Sequence, residues 1–469
     1  MLIAGAGLYA LIGFPLDDIW HRLFGQDVTL WGPTHLMLIG GAGLSLIGVL
    51  LLEYEGRVSR VPSVRPDTDG ARRPGRFLLE GSAFGGLLIG LSVFQIEYDF
   101  GVEQFRLVLQ PMMIAGAAAF ALVAARMTLG RGAAVFAALF AILIRGIVAV
   151  AVGPVLGEPH NVFPLYLGAA VVVELLALTP LLQRRLAFGL VGGLAVATVG
   201  LWIESWWIDA AYLYPWPTSM WAEALAMAVP VGVVAGACGA LLATVLSGEA
   251  LPRPAVRRGL VVALVLVIGA ATASGVMVTV PEKASATVTL TDVAPQNGRM
   301  VTADVRIDPP DLAGEAPEWV AILSWQGGTG DSNPGRGLVV DRLERLGPGH
   351  YRSTMPMPVH GTAKTLLRVQ DGSTMTAVPI FLPNDPGIGA QELPALNTFT
   401  RLFVPEISVL QRERSFNHPS WLYSAASLVV LVCSLILVGS MAWGAGRINR
   451  LTRERPATPV NRDRTPTSL

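Results

Sequence analysis

The sequence is poor in cysteine, in charge and in the short motifs that mark common enzyme classes. Cys238 and Cys433 are the only cysteines among 469 residues, and both lie inside apolar runs. Two membrane-buried thiols form neither a disulfide framework nor a thiolate metal site, so any metal chemistry must use His, carboxylate and Met side chains. Charged residues make up 14% of the chain and the net charge is zero, which gives no argument for nucleic-acid binding.

Three catalytic signatures are also missing. The sequence contains no phosphate-binding P-loop, no Cys-x-x-Cys-His haem motif and no His-Glu-x-x-His zinc motif. These absences argue against an ATP-driven pump, a c-type cytochrome and a zincin protease. The first apolar run, residues 1–16, lacks the basic start and the small-residue cleavage site of a signal peptide. We therefore expect either that Met1 is not the natural start or that this short span tilts or is supported by its neighbours.

Long apolar runs are abundant. Hydrophobic residues make up 52% of the chain and the mean hydropathy is +0.54, which predicts a polytopic α-helical membrane protein in contact with the lipid bilayer. We predict about ten spans. They are residues 1–16, 35–54, 77–97, 109–128, 132–156, 163–181, 187–208, 220–246, 259–280 and 421–444.

Arginine is concentrated in alternate loops between these spans. The Arg-rich stretches are residues 57–76, 126–131, 184–185, 253–258 and 447–464. The positive-inside rule makes these stretches cytoplasmic, so both termini are cytoplasmic in a multi-pass protein of a bacterial plasma membrane. The stretches on the outer face are then residues 17–35, 98–108, 157–162 and 209–219.

One long stretch does not fit the helical pattern. Residues 281–420 are polar, rich in Gly and Pro, and carry short period-two alternations, which predict an extracytoplasmic Ig-like β-sandwich. The predicted organisation follows from it. It comprises a transmembrane domain of nine spans over residues 1–280, the β-domain over 281–420, a last transmembrane helix over 421–446 and a disordered basic cytoplasmic tail over 447–469.

Asp17, His21 and His35 lie at the mouth of the first predicted helical hairpin. Asp17 and His21 are four residues apart and share one helix face, while His35 opens the next apolar run and can fold back onto them. A carboxylate and two imidazoles at the edge of a bilayer are costly to bury unless something binds them. The pattern therefore predicts a metal site for copper, zinc or iron, and the neighbouring Met37 favours copper.

Glu97 and Asp99, at the next outer hairpin, are candidates for additional ligands of this metal site. The alternative to a metal site is that the two histidines are ordinary interfacial residues, hydrogen-bonded to backbone or to lipid headgroups.

Polar residues recur at the other outer hairpins. The spacings His21–His35, His160–Glu174 and Asp209–Glu223 are all fourteen residues, which suggests a duplicated hairpin. We therefore interpret His160, Asp209 and Glu223 as a second polar cluster; its alternative is the usual belt of charges and tryptophans at a membrane interface.

Arg145 and Glu174 each interrupt a strongly apolar run. A carboxylate in the middle of a span is unfavourable, so Arg145 is the expected partner of Glu174. Such a buried pair is either purely structural or a proton-relay pair beside the outer cavity.

The Asp17, His21 and His35 pattern resembles a known family. The C subunit of the membrane-bound copper monooxygenases, which oxidise methane and ammonia, carries Asp-x3-His followed about thirteen residues later by His. The resemblance covers about 20 residues and implies an outward-facing copper site in the bilayer. No wider similarity to the subunits of that family is visible.

A second resemblance lies in the predicted β-domain. Residues 349–369 look like the Gly-x-Tyr … Pro-x-x-Gly-x-Trp core of FixH-like and YtkA-like domains, with Ala363 where that pattern has an aromatic residue. Such domains accompany copper-handling membrane proteins. His350, Met355, Met357 and His360 fall in this segment, but one flat strand puts the two Met residues opposite the two His residues.

Three functions follow from these patterns. The first is a membrane metalloprotein with a copper site, either an oxidoreductase like the copper monooxygenases or a copper-handling protein. The second is a transporter or channel lined by the acidic outer layer, which Gly- and Pro-interrupted helices suit. The third is a non-catalytic subunit or assembly factor whose β-domain docks a membrane-protein partner.

Overall fold

A computed structural model of the chain describes residues 2–25, 29–59, 74–293, 298–326, 337–415 and 417–454. Within these residues, nine helical segments are long and apolar enough to cross a membrane, which indicates a helical membrane protein. Eight of them precede a region of β-strands and the ninth follows it. They are Leu2–Phe24, Pro33–Gly56, Gly75–Phe100, Leu109–Leu129, Ala133–Val155, Arg185–Ala211, Thr218–Leu246, Pro254–Gly275 and Ser420–Leu451.

Thirteen α-helices build these segments and the connections between them in the described residues. They are α1 (Leu2–Phe24), α2 (Pro33–Ser59), α3 (Pro74–Ser92), α4 (Ile96–Phe100), α5 (Leu109–Leu129), α6 (Ala133–Val150), α7 (Leu167–Leu176), α8 (Arg185–Ala195), α9 (Leu201–Ala211), α10 (Trp221–Leu246), α11 (Pro254–Val276), α12 (Glu406–Leu410) and α13 (Ser420–Glu454). Wider π-helical turns, Ala151–Val155 and Val196–Gly200, extend α6 and join α8 to α9.

The predicted sixth span, residues 163–181, is wrong. Its helical part is α7, whose ten residues reach only about 15 Å at 1.5 Å per residue, half of a bilayer core. Gly157 and Tyr166 have positive φ, and the chain between them is irregular. Apolar composition alone does not reveal this break, because Phe163, Leu165 and Tyr166 are as hydrophobic as helical residues would be.

The end of the chain also differs from the prediction. Helix α13 continues to Glu454, so residues 447–454 of the predicted disordered tail are helical. The remainder of that tail, residues 455–469, and most of the Arg-rich stretch 57–76 lie outside the described residues.

The β-region forms two antiparallel sheets. Its strands are β1 (Ser285–Val293), β2 (Met300–Asp308), β3 (Trp319–Gln326), β4 (Gly337–Arg342), β5 (Glu344–Gly347), β6 (His350–Arg352), β7 (Met357–Pro358), β8 (Ala363–Asp371), β9 (Thr374–Phe381), β10 (Thr398–Leu402) and β11 (Val404–Pro405). One sheet has the order β10-β1-β2-β6-β5, with β7 beside β2, and the other has the order β11-β9-β8-β3-β4.

The two sheets share one hydrophobic core, as period-two alternation requires. Val288 and Val305 from the first sheet pack in one buried cluster with Ile322, Leu367 and Val378 from the second. The two sheets confirm a β-domain, whose strands lie between residues 285 and 405 of the predicted range 281–420; its Ig-like fold stays a prediction.

Helices α1 and α2 form a tightly packed hairpin. Gly41 makes the close approach, because a Cβ there would lie 2.8 Å from both Ala6 O and Ala10 N. The connection ends at Pro33, the first residue of α2, where a missing N–H is harmless. The hairpin therefore returns the first turn of α2 to the last two turns of α1.

The β-domain sits on the same end of the helical bundle as this connection. Arg106 Nε, in the segment between α4 and α5, donates to Gly372 O at 2.9 Å, and Leu107 N donates to Gln370 Oε1 at 3.1 Å. Ser415, which lies beyond the last strand and α12 within the predicted range of the β-domain, donates its N–H to Phe24 O at 2.7 Å. The β-domain thus contacts both the end of α1 and the segment that precedes α5.

Candidate metal centre

The structure brings Asp17, His21 and His35 together. Asp17 and His21 lie one turn apart near the end of α1, and His35 lies in the first turn of α2. Asp17 Oδ2 is 3.3 Å from His21 Nε2, and Asp17 Oδ1 is 3.2 Å from His35 Nε2. One ligand atom from each of the three residues lies within 4.8 Å of the others. Ligands at about 2.0–2.1 Å from a tetrahedral ion are separated by about 3.4 Å, so one ion fits.

Both imidazoles present the same nitrogen to the carboxylate. His35 Nδ1 lies 2.7 Å from Thr29 O and His21 Nδ1 lies 3.4 Å from Gly25 O, so Nε2 of each ring is turned toward Asp17. Thr34 Oγ1 donates to Asp17 Oδ1 at 2.6 Å and fixes the carboxylate. A backbone carbonyl behind a histidine ring is the usual orienting partner in metal sites.

Each histidine therefore has an acceptor at both ring nitrogens. A carbonyl and a carboxylate only accept hydrogen bonds, while a neutral imidazole carries a single N–H. The arrangement suits two cationic imidazoles, or a metal ion between the Nε2 atoms and the carboxylate. The side chains of Asp17, His21 and His35 are 21%, 28% and 19% exposed, so an ion can reach them.

Glu97 and Asp99, the predicted additional ligands, have other partners. Glu97 Oε1 accepts from Thr29 Oγ1 and Leu30 N, both at 2.9 Å. Glu97 therefore holds the residues that precede α2 and does not join the metal-binding atoms. Asp99 pairs with Arg145 and accepts from Tyr212 Oη at 2.9 Å. Neither belongs to the carboxylate–histidine group found among the described residues.

The predicted Arg145–Glu174 pair is wrong. Arg145 pairs with Asp99, whereas Glu174 Oε2 lies 2.8 Å from Arg126 Nε and its Oε1 accepts from Ala134 N at 3.0 Å. The shortness of α7 explains why Glu174 pairs with Arg126 instead of Arg145. It places Glu174 at the end of the bundle where α5 ends and α6 begins. The carboxylate caps α6 there instead of meeting Arg145 in the middle of a span.

The predicted second cluster is not assembled in the described part of the chain. His160, Asp209 and Glu223 are all exposed and do not form a group of ligand atoms within mutual reach. Glu223 instead pairs with Arg106, 2.7 Å away. Equal spacing of fourteen residues failed here because the 156–166 segment is irregular and does not repeat the geometry of the first hairpin.

The β-domain histidines also serve local contacts. His350 Nε2 lies 2.9 Å from Asp304 Oδ2, and the His360 ring packs against Gly298. Met357 is fully buried in the core, while Met355 is 44% exposed. The four side chains do not lie on one flat strand, because the segment is divided between β6 and β7 and the two Met residues differ in exposure.

The sequence analysis missed a fully buried charged trio. Arg368, on β8, places Nη1 3.3 Å from Glu103 Oε1 and Nη2 2.6 Å from Glu406 Oε1. Its guanidinium also lies 5.0 Å from the ring centroid of Trp319. The available signal was an arginine inside the apolar run of residues 365–369, since a strand buried on both faces leaves such a residue no route to solvent.

The three members of this trio are at most 2% exposed. Burial raises the pKa of Glu103 to about 8, and the Arg368 cation opposes that rise. Burial also raises the pKa of Glu406, and the Arg368 cation opposes that rise too. The trio joins the segment before α5 to two elements of the β-domain.

The described residues combine nine apolar helical segments, which suggest a membrane protein, with a two-sheet β-domain and a candidate metal cluster. Comparisons with known protein families, with curated proteins and with solved structures found no match. The resemblances of residues 17–35 to the copper monooxygenases and of residues 349–369 to FixH-like and YtkA-like domains therefore stay predictions.

Proposed function

We propose that this protein is an integral membrane metalloprotein that binds one copper ion at Asp17, His21 and His35. The observation that carries the proposal is the orientation of the two imidazoles. In both imidazoles Nε2 faces the Asp17 carboxylate, and Nδ1 lies at hydrogen-bond distance from a backbone carbonyl. A metal ion satisfies all three side chains without protonating either ring.

Copper is the metal that this ligand set favours. Nitrogen and oxygen sites bind divalent first-row metals with an affinity that rises to copper and falls again at zinc. The resemblance of residues 17–35 to the copper monooxygenases points the same way. Three protein ligands leave a position for water, oxygen or substrate, which an oxidoreductase or a copper-handling protein needs.

The proposed setting is the outer face of a plasma membrane. The arginine distribution of the sequence supports cytoplasmic termini and an extracytoplasmic β-domain, which we propose to be Ig-like. The contacts near that domain with the end of α1 and with Arg106, before α5, support a position on the same side of the membrane as the triad. Copper would then reach the site without crossing the membrane.

Metal analysis tests this proposal. The purified protein, incubated with Cu²⁺ and freed of excess metal, should retain one copper per chain. His21→Ala and His35→Ala should each lose it, whereas His160→Ala, a matched change of an exposed histidine, should keep it. Retention of stoichiometric copper by both triad variants contradicts the proposal, and preference for zinc or iron under competition contradicts the choice of metal.

A transporter is the second candidate, because α7 begins inside the bundle. Glu204 accepts from Tyr166 N at 2.9 Å and from Ala169 N at 3.0 Å, so a buried carboxylate caps this half-helix. Broken helices whose ends lie at mid-membrane form substrate sites in many transporters. Uptake assays in proteoliposomes test this reading: Glu204→Gln should abolish a flux that His21→Ala leaves unchanged, and loss of that flux in His21→Ala contradicts a separate transport path.

A further inference from the structure

The two backbone carbonyls behind the imidazoles lie in the connection between α1 and α2. Gly25 O serves His21, and Thr29 O serves His35. A backbone carbonyl outside regular secondary structure keeps its position when other parts of the protein hold its residue. Each carbonyl position is in fact held by an element outside the hairpin.

Glu97 holds the Thr29 end. Its Oε1 accepts from Thr29 Oγ1 and from Leu30 N, both at 2.9 Å, and its Oε2 accepts from Gln104 N at 3.3 Å. The side chain of Glu97 is 5% exposed, so water competes little for these hydrogen bonds. Glu97 thus fixes two consecutive residues, one of which presents its carbonyl to His35.

The segment that follows α12, residues 411–415, holds the Gly25 end. Gly25 forms a β-bridge with Arg414, and Ser415 N donates to Phe24 O at 2.7 Å. A Cβ at Gly25 would lie 2.1 Å from Glu413 O, and its φ of +79° favours glycine. Gly25 therefore allows residues 411–415 to lie directly against the end of α1.

This segment is itself tied to the rest of the structure. Gln411 Nε2 donates to Gln104 Oε1 at 2.8 Å, in the same stretch that donates to Glu97. Glu413 pairs with Lys364 of β8. The two holding elements are therefore joined to each other and to the β-domain.

We infer that Glu97 and residues 411–415 are positioning elements for the metal ligands, so that the β-domain and the segment before α5 set copper affinity. This inference rests on the proposed function. The partner behind a metal-bound histidine fixes its tautomer and ring orientation, and removing that partner weakens metal binding by about 10–100-fold. The carbonyl of Thr29 orients His35 and that of Gly25 orients His21, so a displacement of either holding element should reorient the corresponding ring.

The first test replaces the hydroxyl that Glu97 holds. Thr29→Val keeps the shape of the side chain and loses the hydrogen bond, and should weaken copper binding by about 10–100-fold. It should also shift the Cu²⁺ electron paramagnetic resonance spectrum. Thr29→Ser restores the hydroxyl and should restore both affinity and spectrum. Thr244→Val is the matched control, because it removes the hydroxyl of another buried threonine, which donates to Ala240 O at 2.7 Å within α10.

The second test acts at the other carbonyl. Gly25→Ala should weaken copper binding through displacement of residues 411–415, and it tests the inference independently if Thr29→Val does not fold. Wild-type affinity and spectrum in both variants overturn the inference, while loss of copper in His35→Ala alone keeps the proposed function. A wild-type protein that binds no copper overturns the inference and the function together.

Discussion

Two groups of titratable side chains contribute to the region where the helices meet the β-domain, and they differ in the cation that could balance their carboxyl groups. In the buried trio, two carboxyl groups, those of Glu103 and Glu406, converge on the guanidinium of Arg368, and none of the three residues is more than 2% exposed. In the triad, the Asp17 carboxylate meets two imidazoles that are 28% and 19% exposed. The trio carries its own cation, whereas the triad leaves room for one from solution.

The comparison teaches that burial decides which role a carboxylate cluster can play. An ion pair removed from water is stable only with a permanent partner, and arginine is always charged. A histidine binds metal through its neutral ring, and a partly exposed site lets the ion enter from solution. The trio is therefore suited to hold two parts of the molecule together, and the triad is suited to bind.

The largest effect is expected from removal of the built-in cation. Arg368→Met leaves two buried carboxyl groups without their cationic partner and should lower the free energy of unfolding by about 3–5 kcal/mol in a denaturant titration. Arg306→Met, at an exposed arginine 4.0 Å from Asp304, should change it by less than about 1 kcal/mol. Equal, small losses in the two variants would show that the trio does not join the domains.

A second effect sharpens the assignment of charge partners inside the bundle. Glu174→Gln leaves Arg126 unpaired and should destabilise the protein by about 3 kcal/mol. Adding Arg126→Met should recover much of that loss, because Arg126 is the partner of Glu174, while adding Arg145→Met should deepen it by stranding Asp99. If Arg145→Met rather than Arg126→Met restored the stability of Glu174→Gln, Arg145 would be the partner of Glu174, which would contradict the structure.

A smaller effect should appear in the pH dependence of stability. Because the pKa of Glu103 is raised from 4.5 to about 8, the folded state binds a proton that the unfolded state lacks in this window. The contribution of Glu103 is therefore fully present below about pH 4.5 and is lost as pH rises through 8. In Glu103→Gln, melting temperatures should fall less between about pH 5 and pH 9 than in the wild type. An identical pH profile in the two proteins would contradict the buried, protonated carboxyl.

The first hairpin shows how much the sequence can predict. Asp17 and His21 share a helix face by spacing alone, and Pro33 marks the start of the helix that returns His35. These are local rules, and they place the triad without knowledge of the rest of the fold.

The pairings of Arg145 and Glu174 show where such rules end. Both residues lie in apolar runs, but their partners depend on how far along the helical bundle α7 begins. The irregular segment before Tyr166 takes the place of about half a span, and α7 begins only after it. Arg368 poses the same difficulty, since Glu103 and Glu406 are distant in sequence and meet it only after the β-domain docks. Long-range packing, which carries no local signal, decides these contacts.

The coordination of Cu²⁺ tests the central claim most directly. Pulsed electron paramagnetic resonance of the copper-loaded protein should detect two imidazole nitrogens bound to the ion in the wild type. One should remain in each of His21→Ala and His35→Ala wherever residual copper is held, and Asp17→Asn should weaken binding without changing that number. A spectrum with no bound imidazole, or one unchanged in both histidine variants, would contradict a metal site at Asp17, His21 and His35.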